Sequence, residues 1–406
     1  MKWLFFAIKN VLRNGRRSLL TVLLTAVGSA AILIGGGFAL FTYEALREAS
    51  VRDTGHLIVA HHDFFTNDEE LPMQHGLGGH AEVAARLAAI PRVRAVLPRL
   101  QLSGLITNGD KSAVFVGTGI DAGGEFAVRG ALFTVTEGST LSTEPSVGGM
   151  PEIMLGKDLA RQLRVRPGGS LTLLATTTEG ALNAQDVVVK GVFSAGTPEI
   201  DKRAVLMHLG TAQKLILTDK VSTLAVYLRE TADTEPMRGV VATELPSYAR
   251  QTWRDQATFY VGVRGLYDRI FGLLGAVLVA MVLFAVSNTL GMAVVERTRE
   301  IGTLRALGAF PADVVRNFVL EGAVVGAAGA GFGMALALGV SLGVDFVGVS
   351  MPPPPGRSVG YPLHVEVSPP LYVMTAIVVV GASVIAAWLV SRRAAAKSIV
   401  EALIHV

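Results

Sequence analysis

The stretch Glu296–Gly322, ERTREIGTLRALGAFPADVVRNFVLEG, separates two long apolar runs. Its first half carries Glu296, Arg297, Arg299, Glu300 and Arg305 together with Ile301, Leu304 and Leu307. Charges beside an apolar ridge at helical spacing predict a short amphipathic helix over Glu296–Leu307. Gly308 is its expected stop, because glycine alone enters the left-handed conformation cheaply. Pro311 suits the first turn of a second helix, and Asp313 suits that helix's positive end. The expectation is a helix, an elbow and a helix, able to dock on a soluble partner while rigidly joined to two apolar segments. The plain alternative is a solvated loop whose charges only set topology.

The flanking runs decide the class of protein. Half of the 406 residues are hydrophobic and only 17% are charged. The mean hydropathy is +0.48, a value rare in soluble globules. Four apolar windows stand out: Ser18–Phe41, Leu266–Val295, Phe318–Val344 and Leu371–Val390. Each is long enough to cross a hydrocarbon core of about 30 Å, which takes roughly 20 helical residues. The first is too long for a cleaved signal, whose apolar region runs about 7–15 residues. The net charge of +3 is too small to imply a nucleic-acid partner. No cysteine is present, so disulfides, thiolate metal sites and lipid-bearing cysteines are excluded.

Basic residues set the expected orientation. Lys2, Lys9, Arg13, Arg16 and Arg17 precede the first window, Arg297, Arg299, Arg305 and Arg316 separate the second from the third, and Arg392, Arg393 and Lys397 follow the fourth. The loop between the third and fourth windows has only Arg357. The positive-inside rule places both termini and the 296–316 loop in the cytoplasm. The division follows: an interfacial helix at 1–17, spans at 18–43, 266–295, 317–344 and 371–390, an outer α+β domain at 44–265, a coupling helix and elbow at 296–316, an outer Pro-rich loop at 345–370, and a cytoplasmic tail at 391–406. In the first segment Lys2, Lys9, Arg13 and Arg16 oppose Leu4, Phe5, Ile8, Val11 and Leu12 on a helical wheel, a pattern suited to membrane lipids at the interface.

Within 44–265, HLIVA, SAVFVGTGI, SLTLLATTT, DVVVKGVF and TLAVYLRE read as strands. AEVAARLAAI, GKDLARQLRV, GTAQKLIL and TELPSYARQTW read as helices. The mixed order predicts α+β, with room for two subdomains. The four prolines Pro352–Pro355 lack N–H donors and predict a stiff extended strut.

The chemistry is mostly one of absence. No G-x-x-x-x-G-K-[ST] occurs, so no phosphate-cradling loop is expected on this chain. GAGFG at Gly329–Gly333 lies inside an apolar run with no strand before it and does not read as a dinucleotide site. Gly322 with Gly326, and Gly329 with Gly333, instead form small-xxx-small pairs for close helix packing. His56, His61, His62 and Asp63, with His75 and His80 further on, tempt a metal reading, but adjacent strand residues point to opposite faces, so no metal site is expected. No serine has a nucleophile-elbow setting. Polar positions in the windows are few: Ser287 and Asn288 in the second and Glu321 near the start of the third. That sparsity disfavours an ion-coupled transporter or a polar pore.

ERTREIGTLRALGA, followed by an apolar span, resembles the FtsX/MacB/LolC-LolE superfamily of ABC transporter permeases. The basic KNVLRNGRRSLLT start, EIMLGKDLARQLRVRPGGSLTLL, GTPEIDKRAVLMHLGTAQKLIL and the terminal RRAAAKSIVEAL carry the likeness along the whole chain. The resemblance implies a MacB-like periplasmic core and a non-catalytic subunit of the bacterial inner membrane. It implies a separate ATPase dimer holding ATP and Mg, a second permease chain and a periplasmic carrier or adaptor. It also implies mechanotransmission, in which ATPase closure moves the coupling helix and reshapes the outer domain. The implied activity is lipoprotein release or export of periplasmic molecules. An FtsX-like regulator of periplasmic enzymes stays open as the alternative.

Overall fold

The computed structural model describes residues 2–13, 15–129, 133–143, 149–351 and 360–395. The proline run and most of the terminal RRAAAKSIVEAL lie outside them. The helices in chain order are α1 (Lys2–Arg13), α2 (Gly15–Thr54), α3 (His80–Ala88), α4 (Ala122–Arg129), α5 (Lys157–Leu163), α6 (Pro198–Asp201), α7 (Leu209–Ile216), α8 (Thr234–Glu244), α9 (Trp253–Gln256), α10 (Thr258–Glu296), α11 (Thr298–Ala306), α12 (Pro311–Val347) and α13 (Pro369–Ala395). The strands are β1 (Leu57–His61), β2 (Val93–Thr107), β3 (Ser112–Ile120), β4 (Thr134–Gly138), β5 (Glu152–Gly156), β6 (Ser170–Thr176), β7 (Leu182–Ser194), β8 (Ala204–His208), β9 (Thr223–Leu228), β10 (Tyr248–Thr252), β11 (Ser350–Met351) and β12 (Tyr361–Pro362).

Two compact units emerge. One is helical and takes the chain up to Glu44, Val263–Met351 and the residues from Pro362 onward; the other is built on Ala45–Gly262. Helices α2, α10, α12 and α13 are long and apolar enough to cross a membrane. At 40 residues α2 would extend ~60 Å, about twice a hydrocarbon core. The unit boundary accordingly falls inside the unbroken helices α2 and α10. The expected single helix through Arg16 does not form, because α1 ends at Arg13 and Arg16 belongs to α2. Phe5, Ile8 and Leu12 of α1 remain exposed while Ala7 and Asn10 are buried.

The glycine stripe of α12 serves two neighbours in turn. A Cβ added to Gly322 would lie 2.6 Å from the Ala387 methyl, and one on Gly326 would lie 2.7 Å from Ser383 Cβ, both on α13. One turn on, a Cβ on Gly329 would sit 2.5 Å from Thr25 Cγ2, and one on Gly333 would sit 2.7 Å from the Ala26 carbonyl oxygen, both on α2. Real Cβ atoms do not approach so closely, so these positions need glycine for backbone contact.

The inserted domain is a ten-stranded sheet in the order β10-β1-β9-β2-β3-β8-β5-β7-β4. β6 pairs with both β2 and β7, closing β2, β3, β8, β5, β7 and β6 into a ring. β3–β8 and β5–β7 are parallel. The ring strands share one core with α5 and α7, including Leu100, Phe115, Leu155, Leu173, Leu163 and Leu215. A second core joins β1 and β9 to α3 and α8 through Leu57, Val226, Leu87 and Val241. The α+β expectation holds, and further clusters, one of them around Ile120, Met154 and Phe193, pack against the same sheet. TELPSYARQTW is not a helix: α8 ends at Glu244, and β10 pairs with β1 along Tyr248–Thr252. Pro246 interrupts the helical run, and the β1 ladder supplies a partner the local pattern does not show.

Candidate coupling site

The elbow forms as the sequence leads one to expect, with one break. α10 ends at Glu296, and Arg297 leaves helical geometry at φ −100° and ψ 12° before α11 begins at Thr298. α11 stops at Ala306, and Gly308 takes φ +99°. A side chain there would be strained whatever space surrounds it. Pro311 opens α12, and Asp313 lies in its first turn.

The break at Arg297 turns its side chain into the helical unit. Arg297 Nη1 lies 3.1 Å from Glu321 Oε1, and Asn10 Nδ2 donates to the same oxygen at 2.7 Å. All three residues are buried. Three elements, α1, the α10–α11 junction and α12, thus meet on one carboxylate. A buried carboxylate needs such partners, since losing water costs several kcal/mol per ion even after relaxation (about that order). Ile301 is also buried, packed with Val294, Val314 and Phe318.

These placements redistribute the expected docking residues. Arg297 and Ile301 belong to the interior, a correction to their place on a partner-facing surface. Glu296 pairs with Arg17, and Glu300 lies 3.6 Å from Arg13. These exposed pairs are each worth no more than about 1 kcal/mol. Arg299 and Arg305 lie on α11. Leu304 is helical, and its side chain is outside the described set. Leu307 is 80% exposed, beside Gly308 and near Phe310 at 72%. Phe310 was missed by sequence reasoning; its signal was an aromatic residue directly before the elbow proline.

The inserted domain has its own buried constellation, also missed. Arg99 on β2 makes a forked contact with Glu125 on α4, with Nη2 3.1 Å from Oε2. The same Nη2 donates to Tyr227 Oη at 2.7 Å, and Nη1 donates to the Asp53 carbonyl. Tyr227 Oη donates to the Arg52 carbonyl at 2.8 Å. Burial works against the Arg99 charge, but Glu125, Tyr227 and Asp53 outweigh it and its pKa stands above the ordinary value. Two side chains therefore hold the last turn of α2 against the sheet.

His56 follows that turn. It is 7% exposed, its Nδ1 accepts the Leu228 N–H at 3.1 Å, and its Nε2 lies 3.3 Å from Thr231 Oγ1. Burial, helped by Arg47, lowers its pKa from 6.5 to about 4. The folded protein keeps a neutral ring where the unfolded chain binds a proton. Stability is then full above the unfolded value and falls as pH drops towards the folded one, by roughly 2–3 kcal/mol in all. Melting of the solubilised protein at pH 7 and pH 4.5 (roughly the ends of that window) should show a drop that His56→Asn shrinks. Equal drops for both proteins would assign the acid sensitivity to other groups.

The two-faced strand argument against a histidine cluster fails. β1 ends at His61, and His62 opens a turn, so the ligand atoms of His61, His62 and Asp63 converge to within 4.8 Å of one another.

Four apolar helices, an amphipathic elbow and a large α+β insertion after α2 define a multi-pass membrane protein of permease type. Residues 18–243 match the MacB-like periplasmic core domain, and residues 270–399 match the FtsX-like permease C-terminal domain. The chain belongs to the FtsX/MacB/LolC-LolE superfamily of ABC transporter permeases. It is 27% identical over 246 residues to the lipoprotein-releasing system transmembrane protein LolC of Xylella fastidiosa, covering 59% of this chain and 58% of that one. It is 28% identical over 222 residues to the macrolide export ATP-binding/permease protein MacB of Nitrobacter winogradskyi, covering 52% of this chain and 33% of that one. The chain thus spans little more than half the length of the LolC relative. The periplasmic region of MacB from Actinobacillus actinomycetemcomitans aligns with a TM-score of 0.36 at 13% identity, over 50% of this chain and 92% of that one.

Proposed function

We propose that the chain is the permease subunit of an ABC machine whose ATPase is a separate subunit. In this reading ATP and Mg are held by an ATPase dimer, and a second permease chain completes the membrane part. Both termini and the 296–316 elbow face the cytoplasm, and the inserted domain stands in the periplasm. ATPase closure pushes the elbow, α10 and α12 move with it, and the inserted domain changes shape to release lipoproteins or expel periplasmic molecules. A periplasmic carrier or adaptor receives the cargo. No side-chain constellation among the described residues recommends a chemical reaction on this chain.

The observation that carries the reading is the exposed Leu307 and Phe310 pair at the Gly308 bend. Exposed apolar side chains on a charged, rigidly rooted helix suit a groove on a soluble partner. Arg297 and Glu321 root that helix in the unit, so a push on Leu307 is carried into α12 instead of being lost in a loose loop.

Leu307→Asp should weaken capture of the ATPase by roughly 2 kcal/mol or more, the usual cost of losing an apolar anchor. Gly308→Val should misdirect the bend and reduce stimulated ATP turnover. Pull-down and coupled turnover are the measurements, with membrane insertion checked separately. Full binding and full turnover in both variants would leave the elbow as a topology signal only.

A further inference from the structure

We propose that His61, His62, Asp63 and His75 form a binding site in the inserted domain for one divalent transition-metal ion of the zinc or copper class. The site starts where β1 stops. After His61 the chain turns back, with the Phe64 N–H on the His61 carbonyl at 3.0 Å and the Thr66 and Asn67 N–H groups on the Asp63 carbonyl at 3.1 and 3.0 Å. That turn brings neighbouring side chains to one side, which a continuing strand would not do. His62 Nε2 lies 2.9 Å from Asp63 Oδ2, and His75 Nδ1 lies 4.0 Å from the same oxygen. The His61 ring centroid is 4.2 Å from that of His62 and 6.0 Å from that of His75.

His75 arrives from a loop whose shape is fixed independently. Glu69 accepts the Met73 N–H at 3.1 Å through one carboxylate oxygen and the His75 N–H at 2.9 Å through the other. The fourth donor is therefore positioned by protein contacts before any ion arrives. The His75 side chain is 13% exposed, so it faces the cluster, not bulk water. The His62 side chain is exposed but already sits against the Asp63 carboxylate. Four donors at about 2.0–2.1 Å from a tetrahedral zinc stand about 3.4 Å apart. His61, His62 and Asp63 present ligand atoms within 4.8 Å of one another, and His75 Nδ1 lies 4.0 Å from Asp63 Oδ2.

The donor set selects the ion. Three imidazoles and one carboxylate suit zinc, copper(II) or nickel. Calcium and magnesium seek six or more oxygens, and one carboxylate does not supply them. A bound ion would tie the His75 loop to the end of β1, which lies between β10 and β9. Because only the folded chain brings the four donors together, the ion would also stabilise the domain by mass action.

The test uses the full chain, purified without a polyhistidine tag, stripped with a chelator and titrated with zinc against a chromogenic competitor. One equivalent should bind, with His61→Ala and His75→Ala each weakening it roughly tenfold or more. Asp63→Asn, which keeps the size of the turn residue, should weaken binding in the same direction. His80→Ala should leave it unchanged. Cobalt loaded in place of zinc should show the visible bands of a four-coordinate site in the wild type and not in His75→Ala. Metal-free melting temperatures report whether each variant folds. Absence of stoichiometric zinc uptake by the wild type, or uptake indifferent to both Asp63→Asn and His75→Ala, overturns the proposal.

Discussion

Replacing Arg297 by leucine should destabilise the helical unit by about 3–5 kcal/mol, the range for stranding one member of a buried ion pair. Glu321 would keep the Asn10 amide and the more distant charge of Arg13, but no cation in hydrogen-bond contact. The single Glu321→Leu change should be costly in the same way, because it strands Arg297. The double variant Arg297→Leu/Glu321→Leu should recover most of the loss, since two packed apolar side chains often match a buried pair. The comparison is a double-mutant cycle in thermal or denaturant unfolding of the solubilised protein. A wild-type melting profile for Arg297→Leu would mean that water reaches Glu321 and that the pair roots nothing. If the elbow is the coupling element, the double variant has a second use. It should fold normally yet transmit ATPase turnover differently, because an apolar contact holds orientation less strictly than a directed hydrogen bond.

The elbow was legible because its signals are local. Gly308 and Pro311 each fix their own backbone, and apolar windows of about 20 residues announce spans without any partner. What escaped was set by partners distant in sequence. Asn10 is 311 residues from Glu321, and Arg99 is 128 from Tyr227. Arg297 was therefore expected on a docking face, although it is interior, and Arg99 gave no sign of its buried role. The histidine cluster escaped for a subtler reason. The alternation rule is sound inside a strand, but the sequence does not mark His61 as the last residue of β1. β10 was hidden in the same way, since only the ladder with β1 makes Tyr248–Thr252 a strand. The glycine stripe of α12 lies at close helix contacts. That it serves α13 with Gly322 and Gly326, and then α2 with Gly329 and Gly333, follows from helix geometry only once both neighbours are placed.

Arg99→Met should cost the inserted domain about 3–5 kcal/mol, because the forked ion pair with Glu125, 1% exposed, would be broken. Arg99→Lys should recover only part of this, since an ammonium cannot reproduce the fork that reaches Glu125, Tyr227 and the Asp53 carbonyl together. Tyr227→Phe removes just the hydroxyl that links Arg99 to the Arg52 carbonyl and should cost roughly 1 kcal/mol or somewhat more. The graded series matters beyond stability. α2 runs unbroken from Gly15 to Thr54, and Arg99 and Tyr227 grip the backbone of its last turn. Val51 strengthens the hold, sharing a cluster with Trp253 and Tyr260. A motion carried along α2 would therefore enter the sheet at β2 and β9, the strands bearing these two residues. On the proposed permease reading, Tyr227→Phe should leave ATPase binding and turnover intact while lowering cargo release. Loss of stability without loss of release per folded molecule would show that the clamp only holds the domain together, and that motion enters it elsewhere.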